Sequence, residues 1–210
     1  MRTLISLPYY RSQNSERNSE MDYCLNKNLM NLEINNILLI SEENYEHIPK
    51  DPKIIKIIKK ERPKYSDFID FYNKSDFDLL IIINSDIFIL ESDIKLIKES
   101  INDDTVYALS RWDIKKEGSV EHHDNWGSQD TWVIKGKVNS GKYDIELGKP
   151  GCDNRIAYLF KKSGYNIKNP SKEIRTYHYH LSNYRTYDSE IDRVKGKYFY
   201  VNPTRINEQD

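Results

Sequence analysis

Residues 79–90 read LLIIINSDIFIL, an apolar run interrupted only by Asn84, Ser85 and Asp86. Ile and Leu on both faces of a strand mean burial on both sides, the condition of a strand inside a mostly parallel sheet covered by helices. The apolar residues resume directly after Asp86, so the carboxylate is pinned inside structure instead of opening a solvated loop. A carboxylate taken out of water needs a cation or hydrogen-bond donors. At the carboxyl end of a parallel strand, where open α/β sheets gather their ligands, a divalent metal carrying phosphates is a fitting partner. Asn-Ser-Asp is also a good turn or helix N-cap sequence, and taken alone the signal is ambiguous.

The rest of the first half alternates in the same manner. Residues 3–7 read as a strand closed by Pro8, and residues 19–31 as a helix with Met21, Leu25, Leu29 and Leu32 on one buried stripe. Residues 37–40 and 54–58 read as strands, 65–72 as a helix, 94–101 as a helix capped by Ser92 or Asp93, and 105–109 as a strand. This βα alternation argues for a parallel sheet with right-handed crossovers. The second half differs: residues 117–127 are polar, 131–134 form a strand, 142–151 a loop feeding a helix at 153–162, and 174–180 a last strand rich in Tyr and His. A chain of 210 residues fits one α/β domain, with helices flanking the sheet and a tail from residue 202 that frays.

Charge narrows the partners. With 32 basic and 33 acidic residues, the net charge of -1 gives no sign of a nucleic-acid-binding surface or a polybasic membrane patch. The 16 tyrosines and the Ile-rich runs supply apolar area for an ordered core. Cys24 and Cys152 have no paired spacing, so neither a disulfide framework nor a thiolate zinc site is suggested, and a reducing compartment is the simplest assumption. No run is long enough for a signal peptide or a bilayer span, and a soluble cytoplasmic protein is expected.

His178 and His180 stand two apart, so in a strand both rings lie on one face and can supply ligands to an ion held by Asp86. On spacing alone, strand histidines are more often partly buried hydrogen-bonding residues. Arg185 can fork onto a phosphate, although an exposed arginine is the commoner case. Asp153 follows two glycines and a proline at the start of a helix, where it is either a cap or a general base for an acceptor hydroxyl. Asp130, after Ser128 and Gln129, either binds a sugar hydroxyl or begins a strand. Trp112, Trp126 and Trp132 can stack on sugar rings, though most tryptophans bury for packing. Asp76 and Asp78 spell D-x-D at the wrong end of their strand and read as a solvated turn. Glycine-rich phosphate loops and a serine nucleophile elbow are absent.

The blocks NSDIFI, ALSRWD, SQDTWVIKG, GKPGCDNRIAYLF and NPSKEIRTYHYHLS follow one another in that order. Together they resemble the GT-A glycosyltransferases, and more closely small predicted glycosyltransferases of large DNA viruses and algae, over residues 1–187. The resemblance implies a GT-A (Rossmann-like) domain over residues 1–201, with a nucleotide-sugar-binding half at 1–113 and an acceptor-side half at 114–201. It implies a nucleoside-diphosphate sugar donor, UDP- or GDP-linked, with Mn²⁺ or Mg²⁺, and transfer to a hydroxyl of a glycan or glycoprotein acceptor.

Asn84, Ser85 and Asp86 then stand at the metal motif, where Asn84 departs from the expected first acid and leaves Asp86 the sure carboxylate ligand. His178 or His180 matches the late histidine ligand. Pro8, Tyr9, Tyr10 and Arg11 match the region that holds base and ribose, with Arg62 and Arg185 also on the donor. Arg111, Trp112, Gln129, Asp130 and Asn154 match sugar and acceptor contacts. Asp153 matches the base of an inverting member and is not needed in a retaining one. Two rivals remain: a sugar nucleotidyltransferase, opposed by the lack of glycine in residues 9–17, and a degenerate glycan-binding domain, kept open by Asn84.

Overall fold

The computed structural model describes residues 1–184 and 190–208. Its frame is a seven-stranded sheet that contains the first part of the apolar run, Leu79–Ile83. The strands are β1 (Thr3–Tyr9), β2 (Asn36–Ser41), β3 (Ile54–Ile58), β4 (Leu79–Ile83), β6 (Thr105–Leu109), β9 (Thr131–Lys135) and β10 (Asn166–Lys168), in the order β10-β6-β9-β4-β1-β2-β3. All run parallel except β9, which is antiparallel to both β4 and β6.

The period of two along each strand sorts its side chains to opposite faces. Leu80 and Ile82, with Leu4, Leu38 and Val106, pack beneath α2 (Tyr65–Lys74) and α4 (Cys152–Lys162), through Phe68, Tyr72, Ile156 and Phe160. Leu79, Ile81 and Ile83, with Ile5 and Leu39, pack beneath α1 (Ser15–Met30) and α3 (Glu91–Ser100), through Leu25, Ile94 and Ile97. Each such side chain removed from water contributes about 1.5–3 kcal/mol, which is why the central strands read as continuous apolar runs.

A second, four-stranded sheet lies beyond the carboxyl ends of β4 and β6. Its strands are β5 (Ile87–Ile89), β7 (Trp112–Ile114), β8 (Val120–His122) and β11 (Thr176–His178), in the order β5-β11-β7-β8. β5 continues β4 after Asn84–Asp86, and β7 continues β6 after Ser110 and Arg111. β11 enters between them, antiparallel to β5 and parallel to β7, with His178 opposite both Ile87 and Asp113.

Several elements depart from expectation. Pro8 lies within β1, aligned with Ile40 of β2. β4 pairs with β1 only as far as Ser6, so Pro8 sits at a local edge where its missing N–H breaks no ladder. α1 begins at Ser15, where the Asn14 side chain accepts from the Arg17 backbone N–H, and ends at Met30, so Leu32 falls beyond it and is 81% exposed. The stripe it buries is Arg17, Glu20, Met21, Cys24, Leu25 and Asn28, half of it polar. Asn28 serves the edge of β5, donating to the Ile87 carbonyl at 2.9 Å and accepting from the Ile89 N–H at 3.2 Å. Neither Ser92 nor Asp93 caps α3; Asp93 accepts from the Arg175 backbone N–H instead. The last strand shortens to Thr176–His178. The tail is bonded as far as Ile206, through Thr204 N–H to Asn169 and Ile206 N–H to Glu173. No helix among the described residues is long and apolar enough to cross a membrane.

Candidate active site

The small sheet brings distant side chains together on Asp86. Its Oδ2 lies 2.6 Å from Arg17 Nη2, 3.1 Å from His178 Nε2 and 3.7 Å from His180 Nδ1. Ligand atoms of Asp86, His178 and His180 fall within 4.8 Å of one another. The Tyr179 N–H donates to the Asp86 carbonyl, so the β11 register itself fixes the histidines beside the carboxylate.

Both histidines are anchored by the nitrogen that faces away. His178 Nδ1 is 2.7 Å from Asp113 Oδ1, and His180 Nε2 is 3.1 Å from the Tyr184 carbonyl. A ring whose outer N–H donates to protein presents its inner lone pair to the site, the arrangement of metal-ligating histidines. The donor set of one carboxylate and two imidazoles therefore fits a divalent cation.

Electrostatics favour a proton on the inner nitrogen of His178, which a bound cation would displace. Burial works against the Asp86 charge, but His178 and Arg17 outweigh it and hold the carboxyl well below the usual range. Burial pulls His178 down, yet Asp86 and Asp113 push it up to about 9. Burial and Arg17 lower His180.

Around this cluster opens a crevice of about 280 Å³ at the carboxyl ends of β1 and β4. Pro8, Tyr9, Tyr10, Arg62, Asn84, Ser85, Arg111 and Asp130 line it together with Asp86, His178 and His180. Ser85 Oγ donates to the Pro8 carbonyl at 2.6 Å and ties the β1 terminus to the Asn-Ser-Asp turn. Asn84 Nδ2 donates to Asp130 Oδ1 at 2.8 Å, while Arg111 Nη1 donates to Asp130 Oδ2 at 2.9 Å. Arg111 Nε also reaches Asp113, the carboxylate behind His178. Asn84 thus has a reason to be an amide: a carboxylate there would face Asp130 unpaired.

Other expected residues lie elsewhere. Arg11 turns away to pair with Asp22 at 2.9 Å. Gln129 is fully buried and donates to the Trp126 carbonyl. Trp132 is in the core, whereas Trp126 is 52% exposed against Tyr200. Trp112 lies outside the crevice lining, with Nε1 donating to the Ser171 carbonyl and Arg175 over its ring. Asp153 and Asn154 occupy the first turn of α4 and are not in the crevice lining, and the left-handed Gly151, not Asp153, is the cap. Burial and the neighbouring Asp130 carboxylate raise the Asp153 pKa. Arg185 is outside the described residues.

Sequence reading missed Ser12, Arg17, Glu42, Pro63, Leu147, Gly148 and Tyr184 in the lining. Arg17 gave no signal because the helix was read from residue 19, whereas α1 begins at Ser15 and puts Arg17 in its first turn, where the dipole favours anions.

No protein-family model matches the sequence, and no curated protein matches it. Solved structures do. The mannosyltransferase PcManGT from Pyrobaculum calidifontis, in complex with GDP-Man and Mn²⁺, aligns with a TM-score of 0.57 at 9% identity over 85% of this chain and 56% of its own. S. aureus TarS aligns with a TM-score of 0.57 at 9% identity over 85% of this chain and 36% of its own. GalNAc-T7 with UDP, GalNAc and Mn²⁺ aligns with a TM-score of 0.57 at 10% identity over 90% of this chain and 45% of its own. The chain spans less than two thirds of each neighbour's length, and at such identities the likeness is one of fold. That fold is GT-A, in a single α/β domain.

Proposed function

We propose that the protein is a glycosyltransferase that moves a sugar from a nucleoside-diphosphate donor to a hydroxyl acceptor with a divalent cation, Mn²⁺ or Mg²⁺. One observation carries the reading: ligand atoms of Asp86, His178 and His180 converge within 4.8 Å in the lining of a crevice at the carboxyl ends of the central strands. Two fold neighbours, one holding GDP-Man with Mn²⁺ and one UDP with Mn²⁺, support the choice of ligand.

In this reading Asp86, His178 and His180 hold the cation, which when bound neutralises charge on the leaving diphosphate. Tyr9 and Tyr10, at the end of β1, border the place for base and ribose, and Arg62 adds a cation to the same lining. Arg62 is steadied by donating Nε to the Leu147 carbonyl at 2.9 Å. Asp130, fixed on both oxygens by Asn84 and Arg111, is aimed for sugar hydroxyls. Asp153 is the candidate base of an inverting reaction; burial and the neighbouring Asp130 carboxylate raise its pKa, which favours its protonated form, and it lies outside the crevice lining that Asp130 joins.

The bond from Asn84 to Asp130 gives the amide a role in the crevice and weighs against reading the site as a degenerate binding module. Incubation with UDP- and GDP-sugars and Mn²⁺ tests the proposal: nucleoside diphosphate should be released, and release should stop with Asp86→Asn. No release, together with no calorimetric binding of any donor in Mn²⁺, would overturn it.

A further inference from the structure

Arg17 is the residue the proposed chemistry does not absorb. It comes from the first turn of α1, where a positive charge opposes the helix dipole. Its side chain is only 8% exposed, although arginine is among the residues least often buried. A residue that breaks two local preferences at the wall of a binding crevice is held there by something other than folding convenience.

What holds it is visible. Nη2 donates to Asp86 Oδ2 at 2.6 Å, and Nη1 reaches Glu20 Oε2 at 3.2 Å. Glu20 is itself fixed from behind by the Ser182 N–H at 2.6 Å and the Ser182 hydroxyl at 3.0 Å. The Asp86 oxygen that Arg17 occupies is the same Oδ2 approached by His178 and His180. One carboxylate oxygen thus serves the guanidinium and is also the ligand atom nearest both histidines. A guanidinium carries donors suited to phosphate oxygens as well as carboxylates, and Arg17 lines the crevice where a diphosphate would lie.

We propose that Arg17 is a built-in cation of the diphosphate subsite, which takes the Asp86 oxygen when no divalent ion is bound and competes with that ion for it. The inference deepens the proposed function and rests on it. Glu20 keeps the guanidinium at the crevice when the ion has Asp86, so the charge remains available to the diphosphate. A purely structural Arg17 would act in the opposite sense: it would position Asp86, and its loss would weaken metal binding.

Mn²⁺ alone, titrated against the full-length protein and followed by electron paramagnetic resonance, separates the two. Arg17→Gln should bind Mn²⁺ about tenfold or more tightly than wild type, because a unit positive charge beside the ligand oxygen is gone. Arg17→Lys, which keeps the charge, should stay near wild type. In saturating Mn²⁺, wild type should bind inorganic pyrophosphate, and Arg17→Gln should lose most of that affinity. Unchanged or weaker Mn²⁺ binding by a folded Arg17→Gln overturns the inference. So does an unchanged pyrophosphate affinity of Arg17→Gln in saturating Mn²⁺, with Arg17→Lys as the control for folding. Mn²⁺ binding by wild type with an unresponsive Arg17→Gln leaves the proposed function standing. Absence of Mn²⁺ binding in wild type, with or without nucleotide sugar, overturns both.

Discussion

The large and small sheets are built on opposite economies of burial and charge. In β4 every residue from Leu79 to Ile83 is at most 1% exposed, and its neighbours are apolar on both faces. In the small sheet, β7 is half-buried and β8 is largely exposed. Its cross-strand pairing of His178 with Asp113 is an ionic contact on the same register that aligns them. The first sheet derives stability from area removed from water. The second buries β5 in the same way but elsewhere derives less from area, and it holds a chain of charge-assisted bonds running from Asp130 through Arg111, Asp113, His178 and Asp86 to Arg17. Stability and site chemistry are therefore separable by sheet, and substitutions can test the separation.

The largest effect is expected at Asp86, where the two regions meet. Asp86→Asn keeps the volume and removes the charge, so Mn²⁺ and donor binding should fall by about a hundredfold or more in a calorimetric titration. Arg17 and His178 are left facing a neutral amide, and urea unfolding should show a loss of about 3–5 kcal/mol, the usual consequence of breaking a buried ion pair. The carboxylate is thus not a ligand that can be deleted without touching the fold. Mn²⁺ affinity within about threefold of wild type would remove the small sheet's role as a metal platform.

Ile82→Ala makes the complementary cut. Ile82 is fully buried against the α2 and α4 face, and its truncation should cost about 2–5 kcal/mol in urea unfolding. Donor affinity of the protein that remains folded should stay within about twofold, as for sites without shared partners. A large loss of affinity with little loss of stability would show that the large sheet is part of the binding surface and that the division by sheet is false.

Asn84→Asp sharpens the contrast inside the crevice. If Asn84 were a weakened metal ligand, restoring the acid would tighten Mn²⁺ binding. Its Nδ2 instead donates to Asp130, and a carboxylate in its place would set two like charges together and raise one of their pKa values. Donor affinity should drop about tenfold, or 1.4 kcal/mol, with no gain for the ion. Tighter Mn²⁺ binding would return Asn84 to the metal site.

What the sequence disclosed follows the same boundary. The strands of the large sheet were legible because period and apolarity are local properties, and Asp86 was legible because it interrupts one such run. Leu32 misled because helical spacing continues on paper past the point where α1 stops at Met30. Arg17, Glu20 and Asn28 were illegible because polar residues on a helix read as its wet face; their partners Asp86, Ser182 and Ile87 are remote in sequence. The pairing of His178 with Asp113 depends on the register of a three-residue strand, too short to carry a pattern. Gln129 and Trp112 read as sugar contacts by position, and both spend their donors on loop carbonyls.

Trp112 offers the finest test of the division. It lies in β7, two residues from Ser110 at the end of the large sheet, yet its indole N–H donates to the Ser171 carbonyl at 2.8 Å and its ring carries Arg175 at 4.4 Å. Trp112→Phe keeps most of the ring and deletes one donor, so stability should fall by about 0.5–1.5 kcal/mol, the net worth of a single hydrogen bond. Donor affinity should not move, because the indole faces the Ser171 loop and not the crevice. A fall in donor affinity without loss of stability would place Trp112 against the sugar. The small sheet would then supply an aromatic wall as well as a charge network, and its economy would be less different from that of the large one than its burial pattern indicates.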